Sequence, residues 1–424
     1  FVLDTMPDSD VIVYAKWLTD VFTISFESNG GTEVDPIVRE AGQWLPVPDA
    51  PVRTGHAFLG WFSDPQFENR FYFNVMPGYD LTLHASWERL SYTFETYDLG
   101  ESVKDVSSGN FHTLVLTERN RLFAVGYNVN GQLGDGTTTN RTTPVDITDM
   151  LMLASHETVK DIFTGDTVSF VLTSENRLLV FGGSYLSTLQ DQTSVPTDIT
   201  DVFSLDENER IIHLFVGTSH AILTTSSGRV FGWGDSYYGE RGDGSSGMFS
   251  YEENPIEITS YFSLSYGERI VKAAGGRDHS LYLSNFGKVY GSGNTVHGEL
   301  GYETWMDAKT PENITLLFGL MEGETVADIQ ASYMTSVILT SNGRILTTGY
   351  NGSGEIGDGS VQDAHAPVDI THHFGLDAGE RIISISMHIG EHVIALTSHG
   401  RVFTWGRNND GQLGNGTSGI LASA

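Results

Sequence analysis

Four histidines recur at one position of a repeated pattern and are the first side chains to consider for chemistry. They are His112, His220, His279 and His392, each fourteen residues before a glycine. Histidine is a common metal ligand and general base. A metal site needs ligands within a few ångströms of one another, whereas one position in successive repeat units is spread through the molecule. We therefore expect these histidines to form hydrogen bonds within their own repeats, with no role in metal binding or catalysis.

Three aspartates lie in a recurrent Gly-Asp-Gly phrase, at Asp135, Asp243 and Asp358. A calcium site and a tight turn both use such residues, and we favour the turn, in which the carboxylate accepts from nearby backbone amides. The residues of a Ser-His-Asp triad need not be adjacent, so the sequence leaves that arrangement open. No nucleophile elbow, phosphate-binding loop or metal motif occurs. We predict no catalytic residue, no metal and no cofactor.

The charge of the chain excludes several classes of partner. Its 424 residues contain 54 acidic and 23 basic side chains, for a net charge of -31, and no cysteine. Such a field repels nucleic acid and anionic membranes. No apolar run is long enough to span a bilayer, and the opening FVLDTMPDSD is unlike a signal peptide. We expect no membrane insertion by this chain, with any export signal or anchor outside it.

A repeat of one kind opens the chain. Residues 1–17 align without a gap to residues 71–87, with Phe, Met, Pro, Asp, Ala and Trp identical at six positions. The pattern predicts the end of one module over residues 1–18 and a complete copy over 19–90. The first seventeen residues lack their partners, so we expect them to be poorly ordered or to borrow an edge strand.

The complete copy alternates short β-rich runs with turns, as in VFTISF, SNGGT, HAFLGWF and LTLHASW. These phrases resemble the internalin-type B repeat of bacterial surface proteins. The resemblance implies a small β-grasp-like domain used as a spacer on exported proteins. We expect Trp61 and Trp87 to lie in its core.

A second pattern fills residues 91–424. Six strand-like segments end in glycine, at Gly126, Gly182, Gly234, Gly293, Gly349 and Gly406, spaced 52 to 59 residues apart. Short strands and recurrent turns without long amphipathic helices favour radial β repetition. The sequence predicts an all-β chain whose larger part is a β-propeller.

Phrases such as SSGNFHTLVLT and NGQLGDG resemble the regulator of chromosome condensation repeat, which implies a seven-bladed propeller. The likeness is weak in the second repeat, where YLSTLQDQT replaces the glycine loop. Six repeats are visible, and the sixth stops at GNGTSGILASA. We therefore expect a seventh blade to be missing from this chain.

Two loops carry the side chains that we predict to contact a partner. The loop of the third repeat, DSYYGERGDGSSGMFSYEEN, is longer than its counterparts. With the corresponding loop of the fourth repeat, it supplies Tyr237, Tyr238, Met248, Phe249, Tyr251, Trp305 and Met306. Aromatic and methionine side chains are enriched at protein interfaces. Packing beneath the loops is the alternative role.

Together the two patterns predict a bacterial extracellular or cell-surface binding protein that is not an enzyme. The B-type modules would be spacers, and the propeller would present loops to a protein or glycan. The family resemblance leaves a second hypothesis, a guanine-nucleotide exchange factor for a small GTPase, for which no exchange residue can be assigned. A third is a secreted inhibitor resembling the β-lactamase-inhibitory propellers.

Overall fold

The computed structural model describes residues 20–48, 50–53, 56–89, 100–183, 193–387, 391–409 and 411–415. The chain divides into two compact units, Phe1–Thr96 and Tyr97–Ala424. The predicted module fragment at residues 1–18, with its expected disorder or borrowed strand, lies outside the described residues. No helix among the described residues has the length and apolarity to cross a membrane.

The first unit is one mixed four-stranded sheet. Its strands are β1 (Val21–Glu27), β2 (Ile37–Glu40), β3 (His56–Phe62) and β4 (Leu81–Arg89), in the order β2-β1-β4-β3. Strand β1 pairs with β4 in parallel and with β2 in antiparallel orientation. The parallel central pair agrees with the β-grasp-like arrangement that the B-repeat resemblance implies.

The turn after β1 and the two tryptophans behave as predicted. Asn29 and Gly30 have positive φ angles of 50° and 90°, which a tight turn requires here. Gly31 admits the Trp87 ring, with which a Cβ would collide, and the Trp87 indole N–H donates to the Ser28 carbonyl at 2.8 Å. Trp61 is buried in the core.

Among its described residues, the second unit forms six antiparallel sheets, one for each predicted repeat. Repeats one to three have strands β5–β8 (Val103–Ser108, His112–Thr117, Leu122–Gly126, Arg141–Asp146), β9–β12 (Val159–Thr164, Val168–Thr173, Leu178–Gly182, Thr193–Asp198) and β13–β16 (Ile211–Val216, His220–Thr225, Val230–Gly234, Glu252–Glu257). Repeats four to six have β17–β20 (Ile270–Gly275, His279–Ser284, Val289–Gly293, Ala308–Asn313), β21–β24 (Val326–Ser332, Thr335–Thr340, Ile345–Gly349, Ala364–Asp369) and β25–β27 (Ile382–Met387, His392–Thr397, Val402–Gly406). In each sheet the strands neighbour one another in chain order.

Short 3-10 helices follow the fourth strand of repeats one to five. They span Thr148–Leu151, Thr200–Phe203, Thr259–Tyr261, Thr315–Phe318 and Thr371–Phe374. The first strands of consecutive sheets are adjacent and line a central cavity. This radial arrangement confirms the predicted propeller architecture.

The apolar core of the second unit lies between sheets. Five buried clusters each combine side chains of two consecutive repeats. Between repeats two and three, for example, Phe170 and Leu172 of β10 pack with Leu214 of β13 and Trp233 of β15. Each sheet therefore depends on its neighbours to cover its faces.

An arginine joins two carboxylates in four of the sheets. The sets are Glu101–Arg121–Asp146, Glu157–Arg177–Asp198, Glu209–Arg229–Glu257 and Glu324–Arg344–Asp369. Arg229 lies 2.9 Å from Glu209 and 3.1 Å from Glu257. Burial alone would raise the pKa of Glu209, but hydrogen bonds from Ser227, Thr225 and the Arg229 guanidinium lower it to about 2. In these four sheets the arginine thus links the chain that enters the first strand to the start of the third strand and the end of the fourth.

The recurrent histidines join neighbouring sheets. His112, His220 and His279 place Nε2 at 2.8, 2.7 and 2.9 Å from the hydroxyls of Ser169, Ser280 and Ser336 in the following repeats. Ser336 donates its proton to the Glu299 carbonyl at 2.7 Å, so the His279 Nε2–H must be the donor to Ser336. The expectation that these histidines bond within their own repeats was wrong. The register between sheets brings residues from adjacent repeats together.

Where a repeat lacks the histidine, the following repeat also lacks the serine that would pair with it. Repeat two has Val168 at the histidine position, and the residue at the serine position of repeat three is Ala221. Repeat five has Thr335, and repeat six has Val393 at the serine position. Burial lowers the pKa of His220 and His279 to about 3, which keeps both rings neutral. A buried neutral imidazole needs an acceptor for its N–H, so histidine and serine occur as a pair.

Repeats one and six each leave an apolar face uncovered in the part of the chain that the structure describes. Val106 of β5 is 61% exposed, whereas Ile162, its counterpart in β9, is 5% exposed. Leu396 of β26 is 37% exposed, whereas Leu172, its counterpart in β10, is fully buried. These faces have the composition of the inter-sheet contacts elsewhere in the unit.

A double-mutant cycle should measure the bond between repeats four and five. We expect Ser336→Ala to cost about 1–3 kcal/mol because it leaves the buried His279 N–H unpaired, and His279→Val to cost a similar amount. The double variant should cost about 1–2 kcal/mol less than the sum, because it reproduces the apolar type of pair found between repeats two and three. Urea unfolding of the four proteins measures this, and additive costs would contradict the pairing.

Equivalent leucines should differ in their contribution to stability. We expect Leu172→Ala to lower the free energy of unfolding by about 2–5 kcal/mol, because it leaves a cavity between two sheets. Leu396→Ala should cost less than about 1 kcal/mol, because its face is uncovered. Equal losses in urea unfolding would show that Leu396 is covered in the folded protein.

Candidate functional site

The predicted contact residues lie in loops between the third and fourth strands of repeats three and four. Phe249 is 95% exposed and Trp305 is 89% exposed. The other exposed members of the predicted set are Tyr237, Met248, Tyr251 and Met306. We call these six side chains the loop patch. Tyr238 differs, because its half-buried ring packs edge-on against Tyr237 with the ring centroids 4.8 Å apart.

The loop of repeat three is the longer one, as predicted. In repeat three, β16 starts at Glu252, 18 residues after β15 ends at Gly234. In repeat four, β20 starts at Ala308, 15 residues after β19 ends at Gly293. Arg241 fills its interior at 1% exposure and donates to the Gly234 carbonyl at 2.7 Å and to Ser245 Oγ at 2.7 Å. The matching positions of other repeats hold Leu133, Leu300, Ile356 and Leu413. Arg241 is not among the residues predicted from the sequence, although the change from leucine in the phrase GERGDG was the available signal.

The loops of repeats three and four touch each other. The Gly244 N–H donates to the Lys309 carbonyl at 2.9 Å. Gly239, at φ +91°, lies so close to β20 that a Cβ would be 2.7 Å from the Lys309 Cα. Lys309 follows Met306 by three residues. The loop of repeat three therefore lies against the start of β20, where the loop of repeat four ends, at the same end of the unit.

Carboxylates border the loop patch. Glu252 and Glu303 are exposed, and Asp307 follows Met306 directly. Burial raises the pKa of Asp307 from its ordinary value. An apolar centre with an acidic border favours a partner that offers apolar contacts and basic side chains.

The Gly-Asp-Gly aspartates stabilise turns, as expected. Asp135 accepts from the Thr137 backbone N–H at 3.0 Å, and Asp358 accepts from the Ser360 N–H at 2.8 Å. Asp243 in repeat three accepts from the N–H of the second residue after it at 3.1 Å. Because the aspartates lie in different repeats, each carboxylate serves its own loop.

A cavity of about 740 Å³ runs between the first strands of all six sheets. At its rim the Arg277 guanidinium lies 5.2 Å from the Tyr333 ring centroid and pairs with Asp278 at 3.1 Å. Arg407 pairs with Glu391 at 3.1 Å. Each of these two arginines therefore has a carboxylate partner within the chain.

One group of potential metal ligands occurs among the described residues, namely Asp377, Glu380 and His399, with ligand atoms within 4.8 Å of one another. Arg401 already occupies this place, because its Nε donates to Glu380 Oε1 at 2.8 Å. The Arg401 hydrogen bond lowers the pKa of Glu380 to about 2. The cluster is best explained as an ion pair of the repeat scaffold.

Three buried glutamates hold the loops of repeats three to five. Glu240, Glu299 and Glu355 each accept, at 2.7 to 2.9 Å, from the backbone N–H two residues earlier. Repeats one and six have Gln132 and Gln412 at this position. Burial raises the pKa of all three, that of Glu240 to about 7. A protonated glutamate has the shape of glutamine, so the neutral acid suits the same site.

Replacing Glu240 by glutamine should make the propeller less sensitive to pH. The raised pKa means that the folded state of wild type holds a proton that the unfolded state releases above about pH 4.5, so stability falls as the pH rises to about 7. We expect Glu240→Gln and wild type to be similar at pH 4.5 and the variant to be more stable by roughly 3 kcal/mol at pH 8. Urea unfolding at both pH values measures this, with Glu118→Gln on the surface as control. A pH-independent difference would contradict the assignment.

Comparison with known families identifies both repeat patterns. The model of the Listeria-Bacteroides repeat domain matches residues 22–86. Models of the Regulator of chromosome condensation (RCC1) repeat match residues 103–132, 119–172, 211–240, 227–283 and 390–412. Both resemblances predicted from the sequence are confirmed.

Known proteins share the propeller part. The ultraviolet-B receptor UVR8 of Arabidopsis thaliana is 26% identical over 320 residues, which cover 75% of this chain and 68% of UVR8. The E3 ubiquitin-protein ligase HERC2 of Mus musculus is 27% identical over 310 residues, which cover 72% of this chain but 6% of HERC2. The chain thus spans only a small part of HERC2.

Solved structures agree on the fold. Prp20p of Saccharomyces cerevisiae has a TM-score of 0.61 at 21% identity, covering 75% of this chain and 74% of the Prp20p chain. Human WBSCR16 has a TM-score of 0.63 at 20% identity, covering 85% and 87%. These identities show the fold alone. Regulator of chromosome condensation repeats are thus detected at residues 103–172, 211–283 and 390–412, and a Listeria-Bacteroides repeat domain at residues 22–86.

Proposed function

We propose that this chain is a non-enzymatic binding protein whose propeller presents the loop patch to a protein partner. The exposure of six apolar side chains on two adjoining loops is the observation that carries the proposal. Trp305 and Phe249 are of the types that anchor in a partner's pocket. Arg241 holds the longer loop through hydrogen bonds, which reduces the entropy lost on binding.

We infer a bacterial extracellular or cell-surface location, with the Listeria-Bacteroides repeat domain as spacer. The match at residues 22–86 and its resemblance to B-type repeats support this placement. The net charge of -31 favours a partner with a basic surface over nucleic acid or anionic lipid. A glycan is a further candidate partner, because aromatic side chains supply flat apolar contact area.

The second candidate is a regulator of a small GTPase that acts as a guanine-nucleotide exchange factor. The specific observation in its favour is the fold shared with Prp20p, which is described by its binding to Gsp1p and histones. A secreted protein inhibitor is the third candidate, and it would use the same loop patch. All three candidate functions use a surface of the propeller to bind a partner.

The loop patch can be tested with residues taken from the other repeats. Trp305→Thr and Met306→Gln introduce the residues found at the equivalent positions Thr138 and Gln362, so both substitutions suit the fold. We expect the double variant to weaken partner binding by about 30-fold or more, because truncating an anchor costs about 2 kcal/mol or more. The full chain and the variant would be titrated against intact bacterial surfaces and against purified small GTPases.

The outcomes separate the candidates. Patch-dependent binding to a surface component would support the cell-surface proposal. Accelerated nucleotide release from a GTPase would replace it with the second candidate. Surface binding that is equally strong in wild type and variant would show that the loop patch is not the contact site. Val361→Thr in the loop of repeat five is the matched control.

A further inference from the structure

The end of repeat four opposite the loop patch carries a second group of exposed apolar side chains. In the antiparallel sheet β17–β20, the β18–β19 turn and the connections before β17 and after β20 lie at the end away from the β19–β20 loop. These segments carry Tyr266, Phe286, Leu316, Leu317 and Met321, which we call the repeat-four patch. Tyr266 is fully exposed and Leu316 is 95% exposed.

Hydrogen bonds hold these segments side by side. Asn285 Nδ2 donates to the Gly267 carbonyl at 3.2 Å, the Val326 N–H donates to the Gly287 carbonyl at 3.2 Å, and the Val289 N–H donates to Thr315 Oγ1 at 2.9 Å. A Cβ on Gly267 would lie 3.9 Å from the Phe286 ring. The turn that carries Phe286 therefore lies between the segments that carry Tyr266 and Leu316.

The other repeats provide an internal comparison for the patch. The position of Leu316 holds Asp149, Asp201, Ser260 and His372, and that of Phe286 holds Arg119, Glu175, Ser227, Asn342 and His399. The position of Met321 holds Ala154, Asp206, Ser265 and Asp377, and that of Tyr266 holds Ser155, Glu207, Glu322 and Ala378. The fold thus accepts small, polar or charged residues at all four positions. Packing within the sheet does not require apolar side chains there, and contiguous exposed apolar surface marks interaction sites.

The end of the unit that carries the patch has many exposed carboxylates. Glu322 directly follows Met321, and Asp149, Asp201, Asp206, Glu207 and Asp377 occupy the corresponding connections of other repeats. Of the two cations beside the patch, Lys288 pairs with Glu268 at 2.8 Å, and Arg269 is exposed. The patch thus lies on an end of the unit that is rich in exposed carboxylates, in a chain of net charge -31, and this field attracts basic side chains.

We propose that the repeat-four patch binds a protein segment whose apolar side chains are flanked by lysine or arginine. A second copy of this chain is disfavoured as occupant, because two molecules of net charge -31 repel each other. The proposal is independent of the loop patch, since the two surfaces lie at opposite ends of repeat four. A chain with both surfaces can hold two partners at once.

The test uses a displayed library of random twelve-residue peptides, selected on the full chain. Residues from the other repeats supply the variant, which combines Tyr266→Glu, Phe286→Asn, Leu316→Asp and Met321→Asp. We expect the selected peptides to combine aromatic or aliphatic residues with lysine or arginine. Their affinity should fall at least tenfold for this variant and stay within twofold for Trp305→Thr/Met306→Gln. Raising the salt concentration from 0.05 to 0.5 M should weaken binding severalfold.

A milder pair of variants separates loss of the surface from loss of folding. Phe286→Asn and Leu316→Ser each reproduce a residue type of another repeat and should each weaken binding, with circular dichroism unchanged. If the affinity of the peptides falls only for the Trp305→Thr/Met306→Gln variant, this proposal is overturned, and the loop patch is supported as the binding site. Peptides that respond to neither variant, the absence of any selected peptide, or a patch-dependent dimer in sedimentation would also overturn it.

Discussion

Each sheet of the propeller has two apolar faces and can cover neither by itself, and the rest of the structure depends on this constraint. The five buried clusters all lie between consecutive sheets, and residues such as Phe170 and Trp233 reach their neighbours from opposite sides. Burial of such side chains contributes about 25 cal/mol per Å² of apolar surface. Stability therefore arises mainly at the contacts between repeats, and the repeated sequence supplies both sides of every contact.

Polar groups at the same contacts set the alignment of the sheets. A neutral histidine such as His279 donates to a serine of the next repeat, and that serine donates to a loop carbonyl of the histidine's own repeat. Each bond contributes only about 1 kcal/mol, but a buried partner left alone would cost more. Because an unpaired buried group costs more than the bond contributes, histidine occurs together with serine, and where a repeat lacks the histidine the following repeat lacks its serine partner. In four of the sheets an arginine with two carboxylates holds the connections in a similar way.

A scaffold of equivalent repeats leaves single positions free to differ where function requires it. Repeat three replaces a buried leucine by Arg241 and lengthens its loop, and repeat four has Leu316 and Met321 where other repeats have small, polar or charged residues. In both repeats apolar side chains lie at the surface, and the four-stranded sheet is kept. The buried carboxyl group of Glu240 fits the same logic, since its neutral form takes the place of glutamine inside the loop.

The sequence by itself determined the two repeat patterns, the six strand-rich units, the turns at Asn29 and Asp135, and the exposed aromatic loops. These features are local, because hydrophobic period and turn residues are encoded within about ten consecutive positions. Only the tertiary structure showed that His279 bonds to the next repeat, that Arg241 holds its loop, and that Tyr266 and Phe286 share one surface. The register between sheets brings His279 to Ser336, 57 positions away, and the folded path of its loop brings Arg241 to the Gly234 carbonyl. A linear pattern specifies which residues repeat, whereas packing specifies which of them meet.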